Sequence, residues 1–582
     1  MRRVASLALA ALCLAHAAGA GETTSKRPEG SDAQEGVVRL EFRLSDEPIA
    51  VRLELTDQQG RSVLTPVVRD RFVADGEATL RLPVGRYHLT VLAGPRRTVW
   101  KSYLDVEPGE IERTVRIEPF FPLERRGWWL CDPFVDAHGP GQTSPSLSAL
   151  LLASRACGLS AVGVTRLSEC ADEMGEPFDG PRGAVRLAQA LAESADQGCV
   201  VLDVSRGAAG GRAYRLHPAP VLQEGDRGAP RAQAFPARLV DWHARAGLTV
   251  WSFGAVPEPD QGRRWSLSAA RFVYATLAGP LYDVLDLSGG AFPEQVWRFQ
   301  VDRGHHIPTV GGGSGQPPAD LPAPGCYLPA PERLEAKALL DRLRDGNVTV
   351  SNGPFVAITI DGAPPGATLA PSDEERVLSA IAFASSAHDD AIDHLEVVYN
   401  GEAVRTFRYE QTSDAGVRRL YAEQPMRFAR PGWVVVRYVS TAPERHRATT
   451  GPIYFAAPQA RAPLPPVTEV AVRATRRGAP VGCVAEVYNR GAMVGRQVVG
   501  PEGAELSLPC TASVLILDDA GRTIKRVHMY AASGADAFTR ALAEQSVAAV
   551  QQALLDPATY ARMREVLARG AITVELAPGA ER

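Results

Sequence analysis

Two hydrophobic rhythms divide this 582-residue chain, and their order limits what it can fold into. From Val37 to Pro119, apolar and polar residues alternate in the runs VVRLEFRL, AVRLELTD, ATLRLPVGRYHLTVLAG and RTVRIEPF. Successive side chains on a strand point to opposite faces, so each run can bury one face and wet the other. Turn signals at Asp57–Gly60 and Asp75-Gly76 separate the runs, as a small β-sandwich requires. Between Arg125 and Val350 the rhythm changes. Leu147–Ala156 and Val185–Ala195 carry helical spacing, while SAVGVT, CVVLDV and LTVWSF read as short buried strands. Such alternation predicts parallel strands with crossover helices, in a barrel or an open sheet. Glu332–Arg344 is predicted as an amphipathic helix with Leu334, Ala338, Leu339 and Leu343 on one face and Gly346 closing it.

Period-two runs return in IDHLEVVYNGEAV (392–404), PGWVVVRYVS (431–440) and TTGPIYF (449–455). The proline-rich ARAPLPP (460–466) reads as a linker. Beyond it a further β module (467–530) ends in a hairpin about Asp518–Gly521, and the tail (531–582) is predicted helical, with Asp556-Pro557 opening its second helix. A length of 582 residues suggests three to five domains. A content of 45% hydrophobic and 22% charged residues argues against wholesale disorder. The formal net charge of −4 gives no electrostatic case for nucleic acid or an anionic membrane.

The N-terminus has the form of a secretory signal peptide over residues 1–20. Arg2 and Arg3 are followed by the apolar run Val4–Ala15 and by Ala18-Gly19-Ala20 before Gly21. That run is too short to span a bilayer, so the expectation is a soluble, exported chain, periplasmic or extracellular. Residues 21–36 read as a polar, disordered lead-in. Seven cysteines follow the leader and none forms a CxxC pair, which speaks against a zinc ribbon. Cys483 and Cys510 are the best candidates for a disulfide, and Cys131, Cys157, Cys170, Cys199 and Cys326 read as buried thiols.

The stretch GWWLCDPFVDAHGPGQ (127–142) opens the central region, and Gly346–Leu369 (GNVTVSNGPFVAITIDGAPPGATL) follows it. Together they resemble the CehA/McbA-like branch of the PHP (polymerase and histidinol phosphatase) superfamily. In that branch the first junction reads GW-x-x-GDLHVH, and the second reads G-x-x-x-VTNGP followed by a PG pair. The resemblance spans about Val37 to Phe455. It implies a multidomain α/β plus all-β protein: a degenerate PHP-like (β/α) barrel at 125–369 with β-sandwich modules at 37–119 and 370–457. A linker (458–466), the β module and a short helical tail complete the chain. The phrase with Pro83, Gly85 and Tyr87 also resembles the hairpin of carboxypeptidase-regulatory, transthyretin-like modules, which implies a core tyrosine and a docking role.

The family's metal site depends on convergent nitrogen and oxygen donors with one open position. By the resemblance, Phe134 and Asp136 stand where two histidines belong, Trp251 near a third, and Ser314 and Gln316 where an aspartate and a histidine belong. A phenyl ring has no lone pair to give a metal, and the single carboxylate of Asp136 does not hold a divalent ion against water. Asp132, Asp136 and His138 could rebuild a site, since positions 132, 134, 136 and 138 of an unbroken strand share one side. Against this, His138 falls in a His-Gly-Pro-Gly loop. His305 and His306 read as a hydrogen-bonded surface pair.

GGGSG (311–315) lacks the Lys-Ser/Thr of a P-loop, and no GxSxG elbow is present. The tryptophans of the central region read as core packing. The expectation is an exported, non-catalytic binding or scaffold protein with no cofactor, taking a small-molecule, glycan or protein ligand. One alternative is a divergent metal-dependent hydrolase of phosphoester, carbamate or amide substrates. Another is a carbohydrate- or peptide-binding protein that reuses the old pocket.

Overall fold

The computed structural model describes residues 34–64, 72–94, 97–119, 127–136, 146–165, 180–196, 199–206, 212–217, 247–252, 282–287, 291–311, 325–329, 335–385, 392–408, 417–440, 447–456, 467–489, 492–509, 512–518, 520–528 and 568–575, with a few isolated residues between them. The expected leader, most of the expected lead-in, Phe120–Arg126, His138, the GGGSG phrase after Gly311 with Ser314 and Gln316, the proline-rich stretch 460–466 and Cys510 lie outside the described residues. The chain divides into two compact units. One holds the residues up to Phe121 together with Ala149–Gly158, and the other holds the rest.

The first unit contains β1 (Glu35–Leu44), β2 (Glu47–Pro48), β3 (Ala50–Thr56), β4 (Phe72–Asp75), β5 (Glu77–Pro83), β6 (Gly85–Leu92), β7 (Trp100–Val106) and β8 (Gly109–Ile117). They hydrogen-bond as one sheet in the order β2-β1-β5-β4-β3-β6-β7, with β8 parallel to β1. The alternation read from the sequence is the one that packs: Val38, Leu40 and Phe42 of β1 join Leu53, Leu55, Leu89, Val91 and Val115 in a single core. Tyr87 is buried in that core, and its hydroxyl donates to the Pro83 carbonyl at 2.8 Å, so the Pro-x-Gly-x-Tyr phrase closes on itself. At the β3 turn, Asp57 Oδ1 accepts from the amides of Gln59 and Arg61, both at 2.9 Å. Helix α1 (Leu147–Ala156) has the bounds its spacing predicts, but the segment 149–158 belongs to this unit and not to the central region. Leu152 and Ala156 pack on Ala50 and Val73, and Arg155 donates to Asp75 at 3.0 Å.

In the second unit the expected strands SAVGVT, CVVLDV and LTVWSF form as β10 (Ala161–Thr165), β11 (Val200–Arg206) and β13 (Leu248–Ser252). They are joined by β9 (Trp128–Asp136), β12 (Arg212–His217), β14 (Val284–Asp286), β15 (Thr309–Val310), β16 (Gly325–Pro329) and β17 (Thr349–Ser351). The sheet order is β15-β14-β13-β12-β11-β10-β9-β16-β17. β9, β10 and β11 are parallel, as are β13, β14 and β15. β12 runs antiparallel to both neighbours, so the sheet is mixed where an all-parallel one was expected. Among the described residues the other helices are α2 (Gly180–Asp196), α3 (Ala291–Val301) and α4 (Ala336–Asp345). The described residues are therefore β-rich, with four helices among them. One face of the mixed sheet, with Leu202, Val204, Leu216, Val250 and Val284, packs on Leu339, Leu340 and Leu343 of α4. Gly346 ends α4 at φ 78° with its amide donating to the Leu343 carbonyl, the left-handed cap that glycine accommodates without a Cβ clash.

The same sheet continues through β17 into β25 (Ala448–Thr450), β24 (Gly432–Ser440), β21 (Ile392–Tyr399) and β22 (Glu402–Arg408). It faces a second sheet of β18 (Phe355–Ile360), β20 (Ser372–Ser385) and β23 (Val417–Phe428), and the short β19 (Thr368–Leu369) and β26 (Ile453–Phe455) pair beside it. Val356, Ile358 and Ile360 lie in this sandwich core with Val397, Val434 and Val436. The sandwich thus begins inside the stretch expected to close the barrel, ahead of the 370 boundary. Beyond the linker, β27 (Val467–Arg476), β28 (Ala479–Val481) and β31 (Ala504–Pro509) face β29 (Cys483–Asn489), β30 (Ala492–Val499), β32 (Ser513–Leu517) and β33 (Thr523–His528) around one core. The expected helical tail ends in a strand, β34 (Arg569–Glu575), parallel to β27 with Ile572 and Val574 in the core. Cys483 is a buried free thiol in that core, and its expected partner Cys510 lies outside the described residues.

Candidate functional site

The region to which the resemblance assigns chemistry is built on β9 to β15. Asp132 lies in β9 and is 2% exposed. Pro133 and Phe134 follow, and here the pairing slips: Asp132 is opposite Val162 of β10, but Val135 is opposite Val164 and Asp136 opposite Thr165. β9 therefore holds one more residue than β10 between these pairs, which is a β-bulge. Proline suits it, having no amide to lose from the ladder. Gly163 makes the bulge possible, because a Cβ there would lie 2.0 Å from the Pro133 carbonyl oxygen. The consequence is chemical. Val162 and Thr165 are three apart, so register positions 132 and 136 fall on opposite faces. The unbroken alternation that would gather Asp132 with Asp136 does not hold. The side chains of Phe134 and Asp136 lie outside the description, as does all of His138.

Trp251 is in β13, between Ala213 of β12 and Leu285 of β14, and is 1% exposed. An indole N–H donates only, so a ring at this place brings bulk and no metal-binding lone pair. Thr249 and Thr309 are also buried in the sheet, and the Thr249 amide donates to Asp283 Oδ2 at 2.8 Å. Asp203 of β11 stands directly opposite His217 of β12, and Asp286, fully buried, ends β14. Asp132, Asp203, His217 and Asp286 each make polar or electrostatic contacts. Among the described residues no three His, Cys, Asp or Glu side chains gather closely enough to hold a metal. Sequence reading missed Asp203, His217 and Asp286. For the aspartates the available signal was a carboxylate inside an apolar strand run, as in CVVLDV and YDVLDL.

On β9 and β16, Cys131 and Cys326 are paired across the sheet and both wholly buried. A hydrogen bond with Cys326 and then burial hold the Cys131 thiol well above its usual pKa, with further contributions from the charges of Cys326, Asp132 and Cys199. Cys131 is therefore a neutral packing group at neutral pH in this reduced state.

A second polar locality joins the loop after α3 to the sandwich. Trp433 Nε1 donates to Asp302 Oδ1 at 2.8 Å, its ring meets Trp297 edge-on at 4.9 Å, and Arg437 pairs with Glu294. The His306 ring lies flat on Tyr454 at 3.9 Å, with His306 exposed and His305 half-buried. Burial, with Arg303 and His306 nearby, lowers the His305 pKa to about 4, and burial lowers that of His306.

The sequence matches no family model, and no curated protein sequence matches it. Among solved structures, the chain is similar to BcpA, the major pilin subunit of Bacillus cereus, at 8% identity over 85% of this chain and 94% of that one, with a TM-score of 0.22. A glycosyl hydrolase family 2 member from Bacteroides cellulosilyticus gives 10% identity over 82% and 73% with a TM-score of 0.13. Bacteroides uniformis beta-glucuronidase 3 gives 8% over 85% and 76% with a TM-score of 0.16. Likeness this slight establishes neither a shared fold nor a shared activity. No helix among the described residues is long and apolar enough to cross a membrane.

Proposed function

We propose that this chain is an exported, non-catalytic binding or scaffold protein whose central region derives from a CehA/McbA-like PHP barrel that has lost its metal. The observation that carries this reading is Trp251, an indole 1% exposed within the sheet near the place where the resemblance puts a metal-binding histidine. The β9 bulge supports it by setting positions 132 and 136 out of phase. The residues present do not fit the family's metal: Phe134 and Trp251 bring apolar rings, Ser314 and Gln316 are neutral and weak donors, and Asp136 is one carboxylate. The β modules supply the surface for a small-molecule, glycan or protein ligand.

Elemental analysis of the full chain purified without added metal tests the proposal. The expected result is zinc, manganese and iron well below one per chain, with a melting temperature unmoved by EDTA, since a bound structural metal would contribute folding energy directly. One equivalent of metal, together with a large drop in melting temperature on chelation, favours the divergent hydrolase instead.

A further inference from the structure

Cys131 and Cys326 are direct partners in the antiparallel β9–β16 ladder. Both side chains are wholly buried and belong to the same core cluster. Opposed residues of an antiparallel ladder have Cα atoms about 4.5–5.5 Å apart, within the roughly 4.4–6.8 Å that a disulfide spans. The Cys326 sulfur also donates to the Cys131 carbonyl oxygen at 3.6 Å, so it already lies over its partner's residue. Neighbouring pairs continue the ladder on one side, with Tyr327 opposite Leu130 and Leu328 opposite Trp129, which holds the register.

We propose that Cys131 and Cys326 close into a cross-strand disulfide when the chain folds in the presence of a donor disulfide. One thiolate of the pair attacks a sulfur of the donor and releases the first donor thiol. The second cysteine then attacks the mixed disulfide, forms the Cys131–Cys326 bond and releases the second donor thiol. Two electrons and two protons pass to the donor, which leaves as two thiols, and the cysteines are oxidised. Because both sulfurs are buried in the finished core, the exchange takes place while β16 is still docking on β9. The bond is thereafter shielded from reductant. The oxidising setting in which this would happen in a cell rests on the export reading, but the pairing itself does not.

Refolding the reduced, denatured full chain in a buffer of reduced and oxidised glutathione tests the pairing alone. Remaining thiols are blocked with iodoacetamide under denaturing conditions, and a non-reducing digest is mapped by mass spectrometry. The expected product is one linked peptide pair, Cys131 with Cys326, that separates on reduction. Alkylation of both cysteines in the refolded chain overturns the proposal, as does a link from either of them to Cys199, the thiol whose charge acts on Cys131. Should refolding yield aggregate, the same map on chain purified from an oxidising expression host decides by the same outcomes.

Discussion

The depressed pKa of His305, at about 4, makes this residue a source of pH-dependent stability. The unfolded chain takes up a proton near pH 6.5, whereas the folded chain resists it until about pH 4. The contribution is fully present above the unfolded value and is lost as pH falls through that window. His305→Gln should therefore flatten the decline in unfolding free energy between pH 6.5 and 4 by about 1–3 kcal/mol relative to the unaltered chain. Urea titrations at several pH values measure it, and parallel curves for the two proteins would count against the assignment. Other residues were plain from sequence. Asp57 and Asp518 each open a turn of the form D-x-x-G-R. In both, the carboxylate accepts from the amide four residues on, at 2.9 Å and 2.8 Å, and holds the same arginine through Nε. Such turns need only local chain and are legible. The Asp203–His217 pairing is not, because it depends on the register of two strands whose intervening segment carries no motif.

The element that most alters the reading is β9. Its composition announces a buried strand, and it is one, but a single extra residue at Pro133-Phe134 shifts every position beyond it. Gly163→Ala tests the fit of that bulge. The new methyl would press on the Pro133 carbonyl, and backbone cannot swing aside as a side chain can. A loss of about 2–4 kcal/mol in unfolding free energy is expected, against roughly 1 kcal/mol gained or lost for an ordinary glycine to alanine change. Denaturation showing no loss would mean that the strands do not approach as described. Helices α1, α2 and α4 were legible because an apolar stripe at helical spacing is a local signal. Where α1 packs was not, since its partners Ala50 and Val73 lie about a hundred residues earlier in the chain. The final strand β34 was missed for another reason. AITVEL alternates properly, but it is short and follows a long run of helix-forming residues that dominates the reading.

At the scale of the whole second unit, the mixed sheet and the sandwich are bound by the junction around Trp433. Trp433→Phe keeps the edge-on contact with Trp297 and removes the donor to Asp302. A loss of about 1–3 kcal/mol is expected, and the change should be non-additive with Asp302→Ala in a double-mutant cycle. Full additivity would show that the bond contributes nothing. The sheet itself passes from β17 to β25 without an edge, pairing Thr349 with Thr450. Truncation after residue 369 should consequently give aggregated protein, and truncation after residue 456 a soluble, cooperatively unfolding one, as judged by size-exclusion chromatography and thermal melts. A soluble folded product from the shorter chain would show that the central region stands alone.

The β17–β25 joint also bears on the order in which this protein can come into being. A chain emerging from its N-terminus presents the β17 edge roughly a hundred residues before the strand that covers it exists. Until then that edge has free amides and carbonyls able to pair with any neighbouring chain. Loops this long close slowly compared with a hairpin. The interval is thus the stage of synthesis at which a holding chaperone has the most to protect, and at which a pause in translation would do the most harm.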